Sequence, residues 1–240
     1  MTTPRSTNLT AHIAGALGRA IVSGDYAPGA VFQIHTLCET FGASRTVMRE
    51  AVKSLTAKGL VTSRASVGSI VSEQVEWNLS DSDVLGWFLH VKGSRLALIH
   101  EFIDFRLAIE PAAAALAASR HSPDQIAVIK AALNRMRAAE RGEDDSLDAD
   151  VAFHVAILQA SDNRFFINMR HTIAVALQIS IRLTNRAKAV AVASAADHAR
   201  IAEAIAARDE TGASDAMRDL LIEAKRLLAT APIGETAAPI

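Results

Sequence analysis

The stretch Phe41–Val71, FGASRTVMREAVKSLTAKGLVTSRASVGSIV, decides how this chain is read. Gly42 is placed to end one helix, and Ser44 to cap the next by accepting hydrogen bonds from its free N–H groups. Arg45, Thr46 and Arg49 then fall in the first turns of the new helix, while Val47, Ala51, Val52 and Leu55 repeat at helical spacing and face inward. A helix with a cationic, polar N-terminal end and an apolar back suits the major groove. Its first turns reach base edges and phosphates, and its back holds it to the domain. After Gly59, the runs Leu60–Arg64 and Ser69–Val71 alternate like strands around Val67-Gly68, which predicts a wing beside the helix.

Working outward, Asn8–Ser23 and Thr36–Phe41 read as the other two helices of a three-helix unit. Ser72–Ser80 reads as a linker in which Trp77 anchors one domain to the next. After Asp81 glycine and proline become scarce, and apolar residues recur at helical spacing almost to the end. Helices are expected near 81–90, 94–119, 123–140, 145–161, 164–187, 194–208 and 212–229. Ser122-Pro123 is a helix start, Arg141-Gly142 a stop and Asp162-Asn163 a short turn. Short connections between long amphipathic helices predict an antiparallel bundle. The expected fold is mainly α: a winged helix-turn-helix over residues 8–76, then an all-helical domain over 81–230.

The formal net charge of −1 over 240 residues excludes a chain that coats nucleic acid by bulk charge. The charge is uneven, however. Arg5, Arg19, Arg45, Arg49, Lys53, Lys58 and Arg64 outnumber Asp25, Glu39, Glu50, Glu73 and Glu76 in the first part of the chain. So modest an excess implies that two copies are needed to hold DNA, hence a homodimer. The single cysteine, Cys38, excludes an internal disulfide framework and reads as a small buried residue. No basic start followed by an apolar run marks a signal peptide, and no apolar stretch is long enough for a membrane span. A soluble, cytoplasmic protein is expected.

Between Leu17 and Val71 the chain resembles the GntR family of bacterial transcription regulators. The matching pieces include Tyr26-Ala27-Pro28-Gly29, Ser44-Arg45-Thr46-Val47-Met48-Arg49-Glu50-Ala51, Gly59-Leu60-Val61 and Gly68. The resemblance implies operator contact by Arg45 and Arg49, with Gly68 entering the minor groove; Thr46, in the same first turns of the helix, is the further expected DNA-binding residue. Many members carry Pro-Ser-Glu-Arg before the second helix, where this chain has Phe32-Gln33-Ile34-His35. The usual helix cap is therefore gone, and His35 stands where an arginine is common.

Asp150 and His154 are four residues apart on one expected helix, so they share a face, and His198 begins another helix. A carboxylate and two imidazoles converging in a bundle core suit a divalent metal. The same spacing also serves an ordinary helix-stabilising pair. Arg106, on an apolar-faced helix, needs an anion: either Glu101 or Glu110 within the protein, or the carboxylate of a ligand. Residues 94–229 resemble the all-helical effector domain of the FadR branch, the FCD domain, through Glu101–Arg106, Glu110-Pro111, Asp150–His154, Ala160–Asn163 and His198. The resemblance implies that Asp150, His154 and His198 bind zinc or nickel. It also implies a further histidine at a position that falls here on Leu220. Arg106, Asn163, Gln178 and Arg182 are the expected effector-binding residues.

Trp77-Asn78 followed by Asp81–Trp87 resembles the junction in repressors of galactonate and related sugar-acid operons. Together these readings describe a dimeric repressor that leaves double-stranded operator DNA when a small carboxylate or sugar acid binds. Two rivals draw on the same residues. One is a metal-dependent hydrolase on the bundle with an accessory DNA-binding head. Against it, no separate Glu, Ser or Cys constellation supplies a general base or nucleophile. The other is an architectural DNA binder without a ligand, which leaves the polar set inside apolar helices without a purpose.

Overall fold

The computed structural model describes residues 6–64, 67–89, 91, 95–188 and 194–230. The chain divides into two compact units, Met1–Gly93 and Ser94–Ile240. The division lies beyond the expected linker at Ser72–Ser80.

In the first unit, α1 (Ser6–Val22), α2 (Ile34–Phe41) and α3 (Arg45–Ala57) surround a core of Ile13, Leu17, Ile21, Leu37, Met48 and Leu55. Gly42 ends α2 at φ 60°, a left-handed conformation that costs glycine nothing. Ser44 Oγ then accepts from the Val47 N–H at 3.4 Å, so the expected cap is present. The buried stripe of α3 is Met48, Ala51, Val52 and Leu55, with Val47 only half-buried. Met48 rather than Val47 completes the i, i+3, i+4, i+7 series, which corrects the expected inward set. Helix α2 starts at Ile34, earlier than expected, and Gln33 before it makes no side-chain cap.

The wing consists of β2 (Val61–Arg64) and β3 (Gly68–Val71), paired antiparallel with Arg64 opposite Gly68. A short β1 (Val31–Phe32), not expected from the sequence, pairs with β3 and makes the sheet three-stranded in the order β1-β3-β2. Two residues are too few for an alternation pattern to reveal a strand.

Trp77 is buried in this same core, its Nε1–H donating to Ser72 O at 3.3 Å. It packs edge-on against Phe88 of α4 (Ser82–Leu89). The expected role of Trp77 as an anchor between domains is thus corrected: it ties α4 into the first unit. Lys58, which caps α3, adds two ion pairs, to Asp81 at 2.7 Å and Asp83 at 2.9 Å. Cys38 is half-buried rather than buried.

The second unit is helical: α5 (Arg95–Arg120), α6 (Pro123–Glu140), α7 (Ser146–Ala160), α8 (Arg164–Asn168), α9 (Arg170–Lys188), α10 (Ala195–Ala206) and α11 (Glu210–Thr230). Ser122 and Gln125 form a capping box at the start of α6, and Gly142 at φ 77° follows its end. The single helix expected over 164–187 is two. The chain tightens at Met169, whose N–H bonds to Phe166 O three residues back at 3.1 Å, and α9 restarts at Arg170. Most of the stretch between the helices expected near 164–187 and 194–208 lies outside the described residues. Among the described residues no helix is long and apolar enough to cross a membrane.

Candidate functional site

Two groups of residues carry chemistry, one in each unit. In the first unit Arg45, Thr46 and Arg49 are exposed on α3, as is Gly68 at the head of β3. Gly68 has φ 113°, and a Cβ there would lie 3.1 Å from Phe32 O, so glycine is required by backbone and by space. Arg49, Lys53 and Arg64 line one groove between α3 and the wing. Lys53 and Arg64 bring further positive charge to a face that the recognition pattern assigned to fewer residues. His35 is exposed on α2 and lies within hydrogen-bonding distance of Thr36.

In the second unit, Asp150 and His154 on α7 and His198 on α10 are all buried. One ligand atom from each lies within 4.8 Å of the others. Nε2 of His154 and Nε2 of His198 each stand 3.3 Å from Asp150 Oδ1. These contacts are close enough for electrostatic attraction but not directed as hydrogen bonds: Asp150 Oδ1 and His198 Nε2 are buried without a hydrogen-bond partner. Leaving buried polar atoms unsatisfied costs roughly 1–3 kcal/mol each, so such atoms call for an explanation.

The far side of each imidazole is satisfied. His198 Nδ1 lies 2.8 Å from Ser194 O, the carbonyl preceding its helix, and His154 Nδ1 lies 2.6 Å from Glu110 Oε2 on α5. Both partners only accept, so both Nδ1 atoms donate and both Nε2 atoms are directed at the common carboxylate. Phe153 packs edge-on against both rings and backs the site with apolar surface. Such a donor set, pre-oriented and with orphaned lone pairs, fits a divalent cation.

Charge explains how these groups tolerate burial. Burial pushes the Asp150 carboxyl up, but His198 and His154 outweigh it and hold the group below the usual carboxylate range. Burial likewise raises Glu110, yet the Arg106 guanidinium and His154 bring it down to about 2. For His154 burial favours the neutral ring. The Glu110 carboxylate opposes burial most strongly, the Asp150 carboxylate adds to it, and despite Arg106 nearby the net direction is upward.

Of its two expected kinds of partner, Arg106 meets the internal carboxylate, and its Nη2 also lies 3.3 Å from His154 Nε2. It pairs with Glu110, Nε to Oε1 at 2.5 Å, and it lines the cavity that holds Asp150, His154 and His198. Glu101 is not its partner. The cavity is small, about 60 Å³, and Leu220 and Leu221 of α11 form its apolar side with Ile103 and Ile181. Leu220 therefore faces the centre where a further histidine was expected. Other expected pocket residues are elsewhere. Asn163 caps α8 by accepting from the Phe165 N–H at 3.0 Å. Gln178 is exposed and is not among the lining residues, because the inward stripe of α9 runs through Ile173, Ala176, Leu177, Ser180 and Ile181. The side chain of Arg182 lies outside the described residues. Sequence reasoning held Glu110 only as a possible partner of Arg106 and overlooked Ser194. The Arg106–Glu110 spacing of four was a usable signal, whereas the contact from Glu110 to His154 spans 44 residues and left none.

Comparison with known proteins agrees with both halves of this description. Residues 9–71 match the model of the bacterial regulatory proteins of the gntR family, and residues 101–223 match the FCD domain. The galactonate operon transcriptional repressor of Escherichia coli is 37% identical over 157 residues, covering 65% of this chain and 68% of that protein. The HTH-type regulator YieP of the same organism is 34% identical over 172 residues, covering 69% and 74%. Among solved structures, Lar, which controls expression of the Listeria monocytogenes agr system, superposes with a TM-score of 0.57 at 18% identity over 95% of this chain and 98% of that one. These families and relatives are transcription regulators and not enzymes, so the hydrolase alternative has no support. With a winged helix-turn-helix in its first unit and an FCD domain in its second, the chain belongs to the gntR family of DNA-binding transcription regulators.

Proposed function

We propose that this regulator binds operator DNA as a homodimer, in the cytoplasm, and represses genes of sugar-acid catabolism until a small carboxylate binds its second unit. Arg45, Thr46 and Arg49 read the major groove and Gly68 lets the wing approach the minor groove. Asp150, His154 and His198 hold a divalent ion, zinc or nickel, and Arg106 supplies the cation for the effector carboxylate. When bound, the ion adds positive charge at the floor of the cavity. The protein side chains do the rest: Glu110 and Ser194 aim the imidazoles, and Leu220, Leu221 and Ile181 keep bulk water from that side. The effector acts by binding one arrangement of the paired DNA-binding heads more tightly than another.

The observation that carries this reading is the convergence of two directed imidazole nitrogens on a buried, unsatisfied carboxylate oxygen. Similarity to the galactonate operon repressor supports the sugar-acid class. The test begins with operator sites selected from a random DNA pool. Galactonate and related sugar acids are then titrated, with and without zinc, while operator release and melting temperature are followed. Ligand bound only to the native state raises the melting temperature. Release of DNA together with such a rise supports the proposal. No sugar acid acting on either readout refutes the effector class. Operator affinity retained in both Arg45→Ala and Arg49→Ala refutes the reading-helix assignment, since each bidentate base contact is worth roughly 1–3 kcal/mol.

A further inference from the structure

Glu110 touches both halves of the buried site. It is 1% exposed on α5. Its Oε1 accepts from Arg106 Nε at 2.5 Å, and its Oε2 accepts from Arg106 Nη2 at 3.2 Å. The same Oε2 meets His154 Nδ1 at 2.6 Å. An ionised carboxylate can only accept, so Nδ1 is a protonated nitrogen in every form of His154 that keeps this contact. Of the two neutral tautomers of an imidazole, only the one with the proton on Nδ1 leaves Nε2 bare. His198 is set the same way by an unrelated acceptor, the Ser194 carbonyl. Two different acceptors thus impose the same tautomer on two rings whose Nε2 atoms meet at Asp150.

We propose that Glu110 is the positioning residue of the metal centre: by accepting a hydrogen bond from His154 Nδ1–H it keeps the proton on that nitrogen and turns a bare Nε2 toward Asp150 and His198. This rests on the metal reading given above. The role differs from that of a counter-charge for Arg106, and one substitution separates the two. In Glu110→Gln one oxygen becomes an NH2 group. Arg106 has donors only. The amide oxygen therefore stays opposite Arg106 Nε, where a second donor at 2.5 Å is intolerable. The NH2 group then occupies the place of Oε2 and donates to His154 Nδ1. His154 must now accept there, which moves its proton to Nε2 and blocks that atom as a ligand. The side chain keeps its shape and the shorter bond to Arg106 Nε, gives up the longer one from Nη2 at 3.2 Å, and the tautomer reverses.

Two measurements test this. Nitrogen-15 spectra of the histidine rings in metal-free protein, assigned with His154→Asn, read the tautomer directly. Competition with a chelator reads zinc affinity. We expect His154 to hold its proton on Nδ1 in the wild type and to lose it from Nδ1 in Glu110→Gln. Zinc affinity should fall roughly 10- to 100-fold, the usual effect of removing such an outer partner. An unchanged tautomer with zinc affinity within about twofold of wild type, even alongside a lower melting temperature, overturns the proposal and leaves Glu110 as a counter-charge. Should Glu110→Gln fail to fold, Glu110→Asp gives the same decision. It keeps the charge but retracts it from Nδ1, so loss of the Nδ1 proton preference supports the proposal and its retention refutes it. Wild-type protein that binds no zinc would refute the metal reading, while the ring spectra still decide what Glu110 does to His154.

Discussion

The contact between α1 and α4 can be tested by adding a single carbon. Gly18 lies on α1, and a Cβ built there would stand 2.2 Å from Trp87 Cζ3 on α4, with two more ring atoms at 2.6 Å. Carbon atoms pack at about 3.5–4.0 Å, so in Gly18→Ala the indole must retreat by well over an ångström. Overpacking of this kind costs about 1–3 kcal/mol. The substitution also gains roughly 1 kcal/mol of helix propensity, which offsets part of the strain. The expected net effect is therefore a destabilisation of about 0–2 kcal/mol. Gly15→Ala is the matched control on the same helix. Its Cβ would meet only the flexible end of Arg19, the nearest atom at 3.3 Å, so the propensity gain should survive. Each kcal/mol shifts the melting temperature of a domain this size by about 4–8 °C. The assay is a thermal melt of both variants, with Trp87 fluorescence as a local reporter. The two substitutions should move in opposite directions, and only Gly18→Ala should change the fluorescence. If Gly18→Ala stabilises the protein as much as Gly15→Ala does, α4 does not rest on α1 in solution and the packing described here is wrong.

Three further outcomes are expected. Leu220→His should raise zinc affinity at least about tenfold by adding a donor to the cavity, whereas Arg218→His, at an exposed position, should leave it unchanged; chelator competition decides, and equal affinities would show that Leu220 does not face the centre. Lys58→Met should lower the stability of the first unit by about 1 kcal/mol, because the partners Asp81 and Asp83 are partly solvated. Its aspartate partners outweigh burial and raise the Lys58 pKa, so the contribution is complete below the ordinary lysine range and is lost only as pH climbs through the raised value; a Lys58→Met effect that vanished between pH 7 and 9 would contradict this. Arg208→Ala should cost about 1–2 kcal/mol, since this guanidinium donates to Ser119 O at 3.0 Å and His121 O at 3.2 Å at the end of α5; a melt unchanged by the substitution would mean that water serves those carbonyls equally well.

Local physics made much of this protein legible in the chain itself. The cap at Ser44, the helix end at Gly42, the helix start at Ser122-Pro123 and the stop at Gly142 each depend on a few neighbouring residues. So does the pairing of Asp150 with His154, because helical spacing places both on one face. What depended on distant residues was not legible. The strand at Val31–Phe32 exists only because β3 offers it hydrogen bonds, and Trp77 joined the first core because α4 folds back beside α1. Gln178 and Asn163 had suitable chemistry but fell to the outside of α9 and to a helix cap. Glu110 reached the centre instead, through a hydrogen bond to a ring 44 residues away. Sequence by itself determined which segments are helical, which faces are apolar and which residues could bind an ion. Tertiary structure alone decided which polar groups share one buried cavity, because short-range spacing sets a side chain's face and only packing sets what that face meets.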